Sequence, residues 1–323
     1  MFRIQRYFKA AFFIFATAAF ASGQNNWYPK EPISSKDLVA VYFTSSERGW
    51  IAGDNGLIAS TDDSGRTWKK YPLNATKGIN EIYFRNNDNG YLVAGRKMFV
   101  TKDGGLSWNE TIIFDPADFK DSSPEFLSIR FADKKRGVVI GSVQNRDENV
   151  IDSLVMKTED GGVTWQRIFV PSKKELYHLD FVGESRCWIV GDGGLILASV
   201  DGGSTFQVQR SGTGRSLYNV DFRDQDKGYA VGSKGVILRT ENGGRGWESV
   251  TTGYADSLMR VDFADDKNGW IVGYHGMILR SSDRGRTWSK QNGKTVENLY
   301  GLFMDRKFGW AVGAKGTMIE YRK

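Results

Sequence analysis

Residues 60–68, with the sequence STDDSGRTW, place two carboxylates, four hydroxyl groups and a glycine within one short stretch. Carboxylate and hydroxyl oxygens can bind calcium, so the stretch could be a metal loop. The motif recurs, however, in five further places along the chain: residues 100–108, 157–165, 199–206, 239–247 and 280–288. A metal or catalytic site brings different residues to one point, whereas a recurring motif belongs to a repeating structural unit. We therefore predict structural turns here and no bound metal.

The residue types in the motif suit a tight turn. Glycine supplies positive φ, and an aspartate side chain accepts hydrogen bonds from the backbone two residues further on. The tryptophan that ends most copies is a large apolar anchor. In the fifth copy Asn242 replaces the aspartate, which a turn tolerates and a calcium site tolerates less well.

Other catalytic chemistry has little support in the sequence. His178 and His275 have no serine near them in the setting of a nucleophile. Cys187 stands where other units have glycine, which favours a small buried residue, and zinc has no ligand set. The glycine-rich residues 191–194 are not followed by a helix that could bind phosphate. We predict a protein that is not an enzyme and has no cofactor.

The N-terminus has the pattern of a secretory leader. Basic Arg3, Arg6 and Lys9 precede the apolar residues 10–21 and a group of small residues. This pattern predicts a signal peptide over residues 1–23 and an exported protein, periplasmic or extracellular. Without the three leader cations the net charge falls from +6 to +3, which is too small an excess to indicate nucleic-acid binding.

The remaining chain consists of one unit repeated about every 41 residues. Each unit opens with an apolar run that ends in phenylalanine in most copies, such as LYNVDF at 217–222, and continues with a glycine-aromatic run such as GYAVG. Such runs begin at residues 38, 79, 126, 176, 217, 258 and 299. Four short strands per unit predict an all-β, seven-bladed β-propeller with four-stranded blades, in a single domain over residues 24–323.

The last unit lacks its fourth strand, because the chain ends after three. In regular units the motif tryptophan precedes the next phenylalanine by 16 residues, as from Trp68 to Phe84, and Trp27 precedes Phe43 by the same 16. We therefore predict that residues 25–31 form the outer strand of the seventh blade, beside residues 316–322, which removes an open sheet edge.

Two insertions interrupt the regular spacing, around FDPADFKDSSPE and VQNRDENVIDS. In a four-stranded blade their two connections lie on the same face, so we predict one elaborated acidic patch. Its residues are Asp115, Asp118, Asp121, Glu125, Asp147, Glu148 and Asp152. The following blades contribute basic residues to that face: Lys173, Lys174, Arg210, Arg215 and Lys234. A face divided in this way favours a complementary protein or an anionic ligand, although ordinary solvated charge explains it equally well.

The first strands also vary at one position. This position lies three residues before the final phenylalanine of each first strand. A different residue occupies it in each blade: Ala40, Glu81, Ser128, His178, Asn219, Arg260 and Tyr300. If these side chains approach the mouth of the central channel, they form a composite binding site. Hydrogen bonding between blades is the alternative interpretation.

The repeated turn, as in TDDSGRTW, resembles the Asp-box of sialidase-type repeats. The longer phrase DKGYAVGSKGVILRTENGGRGW resembles the photosystem II stability and assembly factor family, whose members are exported seven-bladed propellers. The resemblance, which covers nearly all of the chain after the leader, implies binding to a membrane-protein assembly intermediate without catalysis. An arginine-rich patch serves binding in that family, and the candidates here are Arg210, Arg215, Arg239 and Arg260.

The competing interpretation is a carbohydrate-active or carbohydrate-binding propeller of the sialidase or xyloglucanase kind. A sialidase needs an arginine triad, a Tyr/Glu nucleophile pair and an acid Asp, and usually an Arg-Ile-Pro element, which this sequence lacks. We predict instead a monomeric scaffold or assembly factor for an envelope or membrane complex. Its partner is a protein, it binds no nucleic acid, and it has no membrane span once the leader is cleaved.

Overall fold

A computed structural model describes residues 26–323. The predicted signal peptide lies outside these residues. The described chain forms seven antiparallel sheets of four strands each. This arrangement confirms the predicted seven-bladed β-propeller.

The 28 strands follow the chain in a regular order. Blades 1 to 3 are built from β2(Leu38–Phe43), β3(Gly49–Gly53), β4(Leu57–Thr61), β5(Lys69–Tyr71); β6(Glu81–Phe84), β7(Gly90–Ala94), β8(Lys97–Thr101), β9(Asn109–Thr111); and β10(Ser122–Phe131), β11(Gly137–Asn145), β12(Val150–Thr158), β13(Gln166–Arg167). Blades 4 and 5 are built from β14(Leu176–Val182), β15(Arg186–Gly191), β16(Ile196–Ser199), β17(Gln207–Gln209); and β18(Leu217–Phe222), β19(Gly228–Gly232), β20(Ile237–Thr240), β21(Glu248–Ser249). Blades 6 and 7 are built from β22(Leu258–Phe263), β23(Gly269–Gly273), β24(Ile278–Ser281), β25(Ser289–Lys290); and β26(Leu299–Met304), β27(Phe308–Gly313), β28(Met318–Arg322), β1(Trp27–Lys30).

Short 3-10 helices complete the described secondary structure, at Asp54–Gly56, Pro116–Phe119, Asp192–Gly194, Ser233–Gly235, Tyr274–Gly276 and Ala314–Gly316. Nowhere between residues 26 and 323 does a helix have the length and hydrophobicity needed to span a bilayer.

The core lies between the blades, because each of seven buried clusters combines residues of two neighbouring blades. The aromatic residue of a second strand stacks on the phenylalanine that ends the next blade's first strand. The ring centroids are 3.9 Å apart for Trp50 and Phe84, and 3.5 Å apart for Trp188 and Phe222. Trp108, at the end of its Asp-rich turn, meets Phe84 edge-on at 5.8 Å. Burying one such phenylalanine stabilises the fold by about 1.5–3 kcal/mol.

The ring closes as predicted from the spacing of Trp27. Strand β1 pairs with β28 in antiparallel register, with Trp27 opposite Tyr321 and Lys30 opposite Met318. Trp27 is 1% exposed, and its ring lies 5.3 Å from that of Tyr321. The N-terminal strand therefore supplies the missing edge of blade 7.

The strand order gives the propeller two distinct faces. The loop face carries the connections between blades and the turns between second and third strands. The hairpin face carries the turns between first and second strands together with the Asp-rich hairpins, which join third to fourth strands. On the loop face, blade 3 projects beyond the others because β10 to β12 have nine or ten residues each.

Candidate functional site

The Asp-rich hairpins use their carboxylates to hold their own turns. In the first hairpin Asp63 Oδ1 accepts a hydrogen bond from the Thr67 amide at 2.9 Å, and Asp63 Oδ2 accepts one from the Thr67 hydroxyl at 2.7 Å. The Thr61 hydroxyl donates to Asp63 Oδ1 at 2.8 Å and accepts from the Gly65 amide at 2.9 Å. These bonds, led by that from the Thr67 side chain, lower the pKa of Asp63 to about 2.

The fifth hairpin keeps this geometry with an amide in place of the carboxylate. Asn242 Oδ1 accepts from the Gly246 amide at 2.9 Å and from the Thr240 hydroxyl at 3.0 Å. In the first hairpin a glycine passes close under a neighbouring blade: Gly65 has φ of 77°, and a Cβ atom there would collide with the ring of Trp310. The motif is therefore structural. Over residues 26–323, no group of three or more His, Cys, Asp or Glu side chains is arranged to hold a metal ion.

The two insertions meet on the loop face, but their charge is mixed. Arg146 Nη2 lies 2.8 Å from Asp121 Oδ1 and joins one insertion to the other. Two further pairs are Lys77 with Glu148 at 3.6 Å and Arg167 with Asp152 at 2.7 Å. Asp115 caps the short helix Pro116–Phe119, and Glu125 accepts a hydrogen bond from Asn80. Asp118 and Asp147 are exposed. The predicted acidic patch is therefore interleaved with cations, and a sharply divided face does not form.

Four of the five predicted basic residues of blades 4 and 5, namely Lys173, Lys174, Arg215 and Lys234, lie on the loop face. Arg215 Nη1 donates to the Lys234 carbonyl at 3.0 Å, and Lys174 Nζ donates to the Gly193 carbonyl at 3.2 Å. Both contacts leave the cations at the surface, and Lys173 is exposed beside them.

The four arginine candidates do not form one patch, which corrects the expectation from the resemblance. Arg239 lies near the hairpin face, 7% exposed, and its guanidinium pairs with Glu241 and donates to the Arg284 carbonyl. Arg260 lines the central channel. Only Arg210 and Arg215 share the connection between blades 4 and 5. The separation follows from strand position, because Arg239 ends a third strand whereas Arg260 sits in the middle of a first strand.

Arg210 belongs instead to a surface groove between blades 4 and 5, which we call the basic groove. It encloses about 490 Å³ and includes three guanidinium groups, those of Arg186, Arg210 and Arg245, with Val200 and Val208 as exposed apolar walls. Of the described residues that line it, none is acidic. Sequence reasoning missed Arg186 and Arg245, because they lie far apart in the chain, at the start of β15 in blade 4 and in the Asp-rich hairpin of blade 5.

Gln209 fixes the floor of the basic groove. Its Nε2 donates to the Gly243 carbonyl at 3.0 Å, and its Oε1 accepts from Trp247 Nε1 at 3.3 Å. Trp188 Nε1 donates to the same Gly243 carbonyl at 3.2 Å. The blade 5 hairpin is thus held against blade 4, so the three arginines project from a rigid support.

The variable ring of the first strands lines the channel, with one correction in blade 7. Gly301, not Tyr300, pairs with Val312 in the way that Asn219 pairs with Val231. The first strand of blade 7 ends in Met304 where the others end in phenylalanine, so counting from Phe303 shifts the alignment by one residue. Tyr300 lies one position earlier, 6.2 Å from Tyr274 on the loop face.

Two members of this ring hydrogen bond to the next blade, as the alternative interpretation anticipated. Glu81 Oε2 accepts from the Ile129 amide at 3.2 Å, and Asn219 Oδ1 accepts from the Val261 amide at 3.0 Å. In blade 6 the equivalent residue is Arg260, which has no acceptor to offer. Across residues 26–323 no hydrogen bond or ion pair within 4 Å holds its guanidinium.

Glu81 is also the centre of a buried charge cluster. Its Oε1 lies 2.7 Å from Arg130 Nη1 and 3.4 Å from His178 Nε2. Burial opposes ionisation, but Arg130 and then His178 hold the pKa of Glu81 well below its usual range. Burial lowers the pKa of His178 to about 4, so this histidine is neutral near pH 7. Its Nε2 lies between two charged groups, 3.0 Å from Arg130 Nη2 and 3.4 Å from Glu81 Oε1.

A second ring lines the channel two residues further along each first strand, and sequence reasoning missed it. Its residues are Tyr42, Tyr83, Arg130, Asp180, Asp221, Asp262 and Phe303. The recurrent Asp-Phe pair that ends three first strands was its signal in the sequence.

The carboxylates of this second ring are held between blades. Asp180 Oδ2 accepts from the Phe222 amide and Asp262 Oδ2 from the Met304 amide, both at 2.7 Å. Burial raises the pKa of Asp180 and Asp221 and raises that of Asp262 to about 6, although Arg223 acts on all three in the opposite direction. The channel cavity that the two rings enclose measures about 200 Å³.

Comparison with known proteins identifies the class to which this propeller belongs. The family model for the photosynthesis system II assembly factor YCF48 matches in overlapping copies over residues 70–174, 117–213, 161–251, 207–295 and 247–322. These copies cover more than half of the chain, so the chain belongs to the YCF48 family.

Individual relatives are more distant. The photosystem II stability/assembly factor HCF136 of Oryza sativa subsp. japonica is 27% identical over 100 residues, covering 28% of this chain and 24% of the relative. The photosystem II assembly protein Ycf48 of Thermosynechococcus vestitus is 27% identical over 124 residues, covering 37% of this chain and 34% of the relative. This chain thus matches about a quarter to a third of the length of these relatives. The solved structure of YCF48 bound to a D1 peptide has a TM-score of 0.75 at 22% identity, covering 93% of this chain and 96% of that one, and shows the shared fold.

Proposed function

We propose that this protein is an exported, non-catalytic scaffold that binds a protein partner and assists the assembly of a membrane complex. Membership of the YCF48 family supports an assembly role, and a solved relative binds a peptide of D1. Of the features described above, the basic groove is the observation that carries the proposal for this chain. Its partner would be an acidic, partly apolar segment of an assembly intermediate.

The chemistry of the groove suits such a segment. Arginine forms paired hydrogen bonds with carboxylates and is weakly hydrated, which favours its use in protein interfaces. Arg245 Nε donates to the Asn242 carbonyl at 3.0 Å, which orients the side chain and leaves its terminal nitrogens available. Val200 is 70% exposed and Val208 is 55% exposed, so apolar surface adjoins the positive charge. Rigid, partly apolar and charged surfaces of this kind favour protein recognition.

The groove lacks the groups that the glycosidase alternative requires. Three arginines are present, as in a sialidase, but no tyrosine, glutamate or aspartate is among the described residues that line it. A nucleophile and a general acid are therefore missing beside the arginines. In the channel, the Tyr42 hydroxyl donates to the Phe84 carbonyl at 2.8 Å, and burial raises the Tyr42 pKa. These observations support binding over glycoside hydrolysis.

The test is affinity capture from the native envelope with the wild type and with the double charge reversal Arg210→Glu and Arg245→Glu. Arg66→Glu is a matched control, because Arg66 Nε donates to the Asp63 carbonyl at 3.0 Å in the equivalent hairpin of blade 1, outside the groove. We expect the double variant to lose a partner that the wild type and the control both retain. The retained partner should dissociate as ionic strength rises, because salt screens exposed charges.

Identical partners in all three samples would contradict the groove as the binding surface. Cleavage of a sialoside or a xyloglucan oligosaccharide by the purified wild-type protein would contradict the non-catalytic role.

A further inference from the structure

The channel cavity has three properties that the fold alone does not require. One cation, Arg260, has no hydrogen-bonding partner in the described chain and borders the cavity. Asp221 Oδ2 is buried without a hydrogen-bond donor. His178 is 5% exposed, borders the same cavity, and has no partner at Nδ1. Buried polar groups of folded proteins normally find partners, so unmet groups of both signs around one cavity indicate a ligand.

Space is available on one side of Arg260, because the next two positions around the ring have small side chains. Gly301 follows it in blade 7 and Ala40 follows in blade 1, while every other member of that ring is larger. A side chain cannot be added at Gly301 without collision, since a Cβ atom there would lie 2.8 Å from the Val39 carbonyl oxygen. The channel wall is therefore recessed at blades 7 and 1, next to blade 6, which carries Arg260.

The second ring forms the other end of that recess. Asp221 and Asp262 lie on one side and the rings of Tyr42 and Phe303, whose centroids are 5.9 Å apart, lie on the other. Arg260 and Asp262 are two residues apart on one strand, a rise of about 7 Å.

The distribution of charge favours a ligand that carries both signs of charge. A plain anion at Arg260 would also lie near the carboxylates of Glu81 and Asp262, and a plain cation at Asp262 would be repelled by Arg260. A molecule that has a carboxylate at one end and an ammonium group at the other satisfies both ends. Aromatic rings beside the carboxylates add a favourable surface for the ammonium group and for an apolar side chain.

We propose that the channel binds a small zwitterion, of the class of free α-amino acids, between the Arg260 guanidinium and the carboxylates of Asp221 and Asp262. The ligand carboxylate pairs with Arg260, its ammonium group pairs with the aspartates, and its side chain lies against Tyr42 and Phe303. This site is separate from the basic groove and does not depend on the proposed partner.

Calorimetric titration of the purified protein with each of the twenty amino acids tests the proposal, with acetate and methylammonium as probes of the two ends alone. We expect at least one amino acid to bind, and neither single-charge probe to bind comparably. Arg260→Met and Asp221→Asn should each weaken that binding by about tenfold or more, because each removes a charge-assisted hydrogen bond. Arg210→Met, in the basic groove, should leave it unchanged.

Folding does not confound these variants. Arg260 makes no hydrogen bond within the described chain, and asparagine at position 221 keeps an acceptor oxygen. A thermal melt of each variant checks this directly. The proposal is overturned if none of the twenty amino acids binds, if acetate or methylammonium alone binds as tightly, or if binding survives in either folded channel variant. A failure of this kind would leave partner capture through the basic groove unaffected, because different residues carry it.

Discussion

The Asp-rich hairpins and the channel rings are both polar features of the same repeat, but they differ in how their polar groups are satisfied. In all six hairpins the first hydroxyl of the turn donates to the Asp or Asn side chain, as Thr158 does to Asp160 in blade 3. In the channel the residue changes from blade to blade, and some groups, such as His178 Nδ1 and Asp221 Oδ2, have no partner. Polar groups that are the same in every blade and bond to one another indicate a structural role. Polar groups that vary between blades and have no partner indicate a binding site.

The largest expected effect comes from Glu81, a channel residue whose two carboxylate oxygens are both engaged. Glu81→Ala leaves Arg130 charged and largely buried without its partner and removes the acceptor for the Ile129 amide. Breaking one half of a buried ion pair costs about 3–5 kcal/mol. Chemical denaturation should show a loss of that size in the free energy of unfolding. Glu81→Gln keeps an acceptor for the amide and should lose less of the free energy of unfolding. Equal losses for the two variants would mean that the charge of Glu81 does not stabilise the fold.

A hairpin hydroxyl should have the next largest effect. Thr101, 0% exposed, donates to Asp103 Oδ1 at 2.7 Å and accepts from the Gly105 amide at 2.8 Å. Thr101→Val preserves shape and leaves that buried amide without an acceptor, at a cost of about 1–3 kcal/mol. The control Thr251→Val alters an exposed residue and should stay within about 0.5 kcal/mol of wild type. A neutral Thr101→Val would contradict a structural role for the motif.

The two regions should also respond to pH in opposite directions. The pKa of Asp262 is raised to about 6 in the folded protein, so its charge destabilises the fold above that pH and the penalty fades as pH falls from 6 towards 4. Asp262→Asn should therefore gain stability over wild type at pH 7 and lose this advantage near pH 4. Because Asp262 is partly open to the channel, we expect a gain of about 1 kcal/mol.

The hairpin aspartate Asp63 provides the contrast. Its pKa is lowered to about 2, so its charge stabilises the fold above pH 4 and the contribution fades as pH falls towards 2. Asp63→Asn should therefore melt at a lower temperature than wild type at pH 7 and approach wild type at low pH. The melting temperatures of both variants between pH 3 and pH 8 check the two signs together, and parallel curves would remove the distinction between hairpin and channel.

Arg260→Met should have the smallest effect on folding. The variant loses a desolvated guanidinium that makes no hydrogen bond in the described chain and gains a flexible apolar side chain. Stability should remain unchanged or rise by up to about 1 kcal/mol. A clear loss of stability would mean that Arg260 supports the channel wall and would remove its contrast with Glu81.

The sequence by itself determined the repeat and what depends on it. The period, the seven blades, the closure by Trp27 and the structural role of the Asp-rich turns all follow from local turn chemistry and from regular spacing. Both are properties of residues close together in the chain or separated by whole repeats. The resemblance of the repeat to the assembly-factor family is carried by the same residues, and the family model confirms it.

Only the tertiary structure decided which side chains meet. In blade 7 the first strand ends in Met304, where most other first strands end in phenylalanine. The ring position in this blade is therefore Gly301 and not Tyr300. The arginine candidates separate because strand position sends Arg239 towards one face and Arg260 into the channel. Arg186 joins Arg210 and Arg245 in the basic groove through the packing of blade 5 against blade 4. Contacts between blades join residues tens of positions apart, and their geometry depends on how sheets pack, which no local pattern in the sequence records.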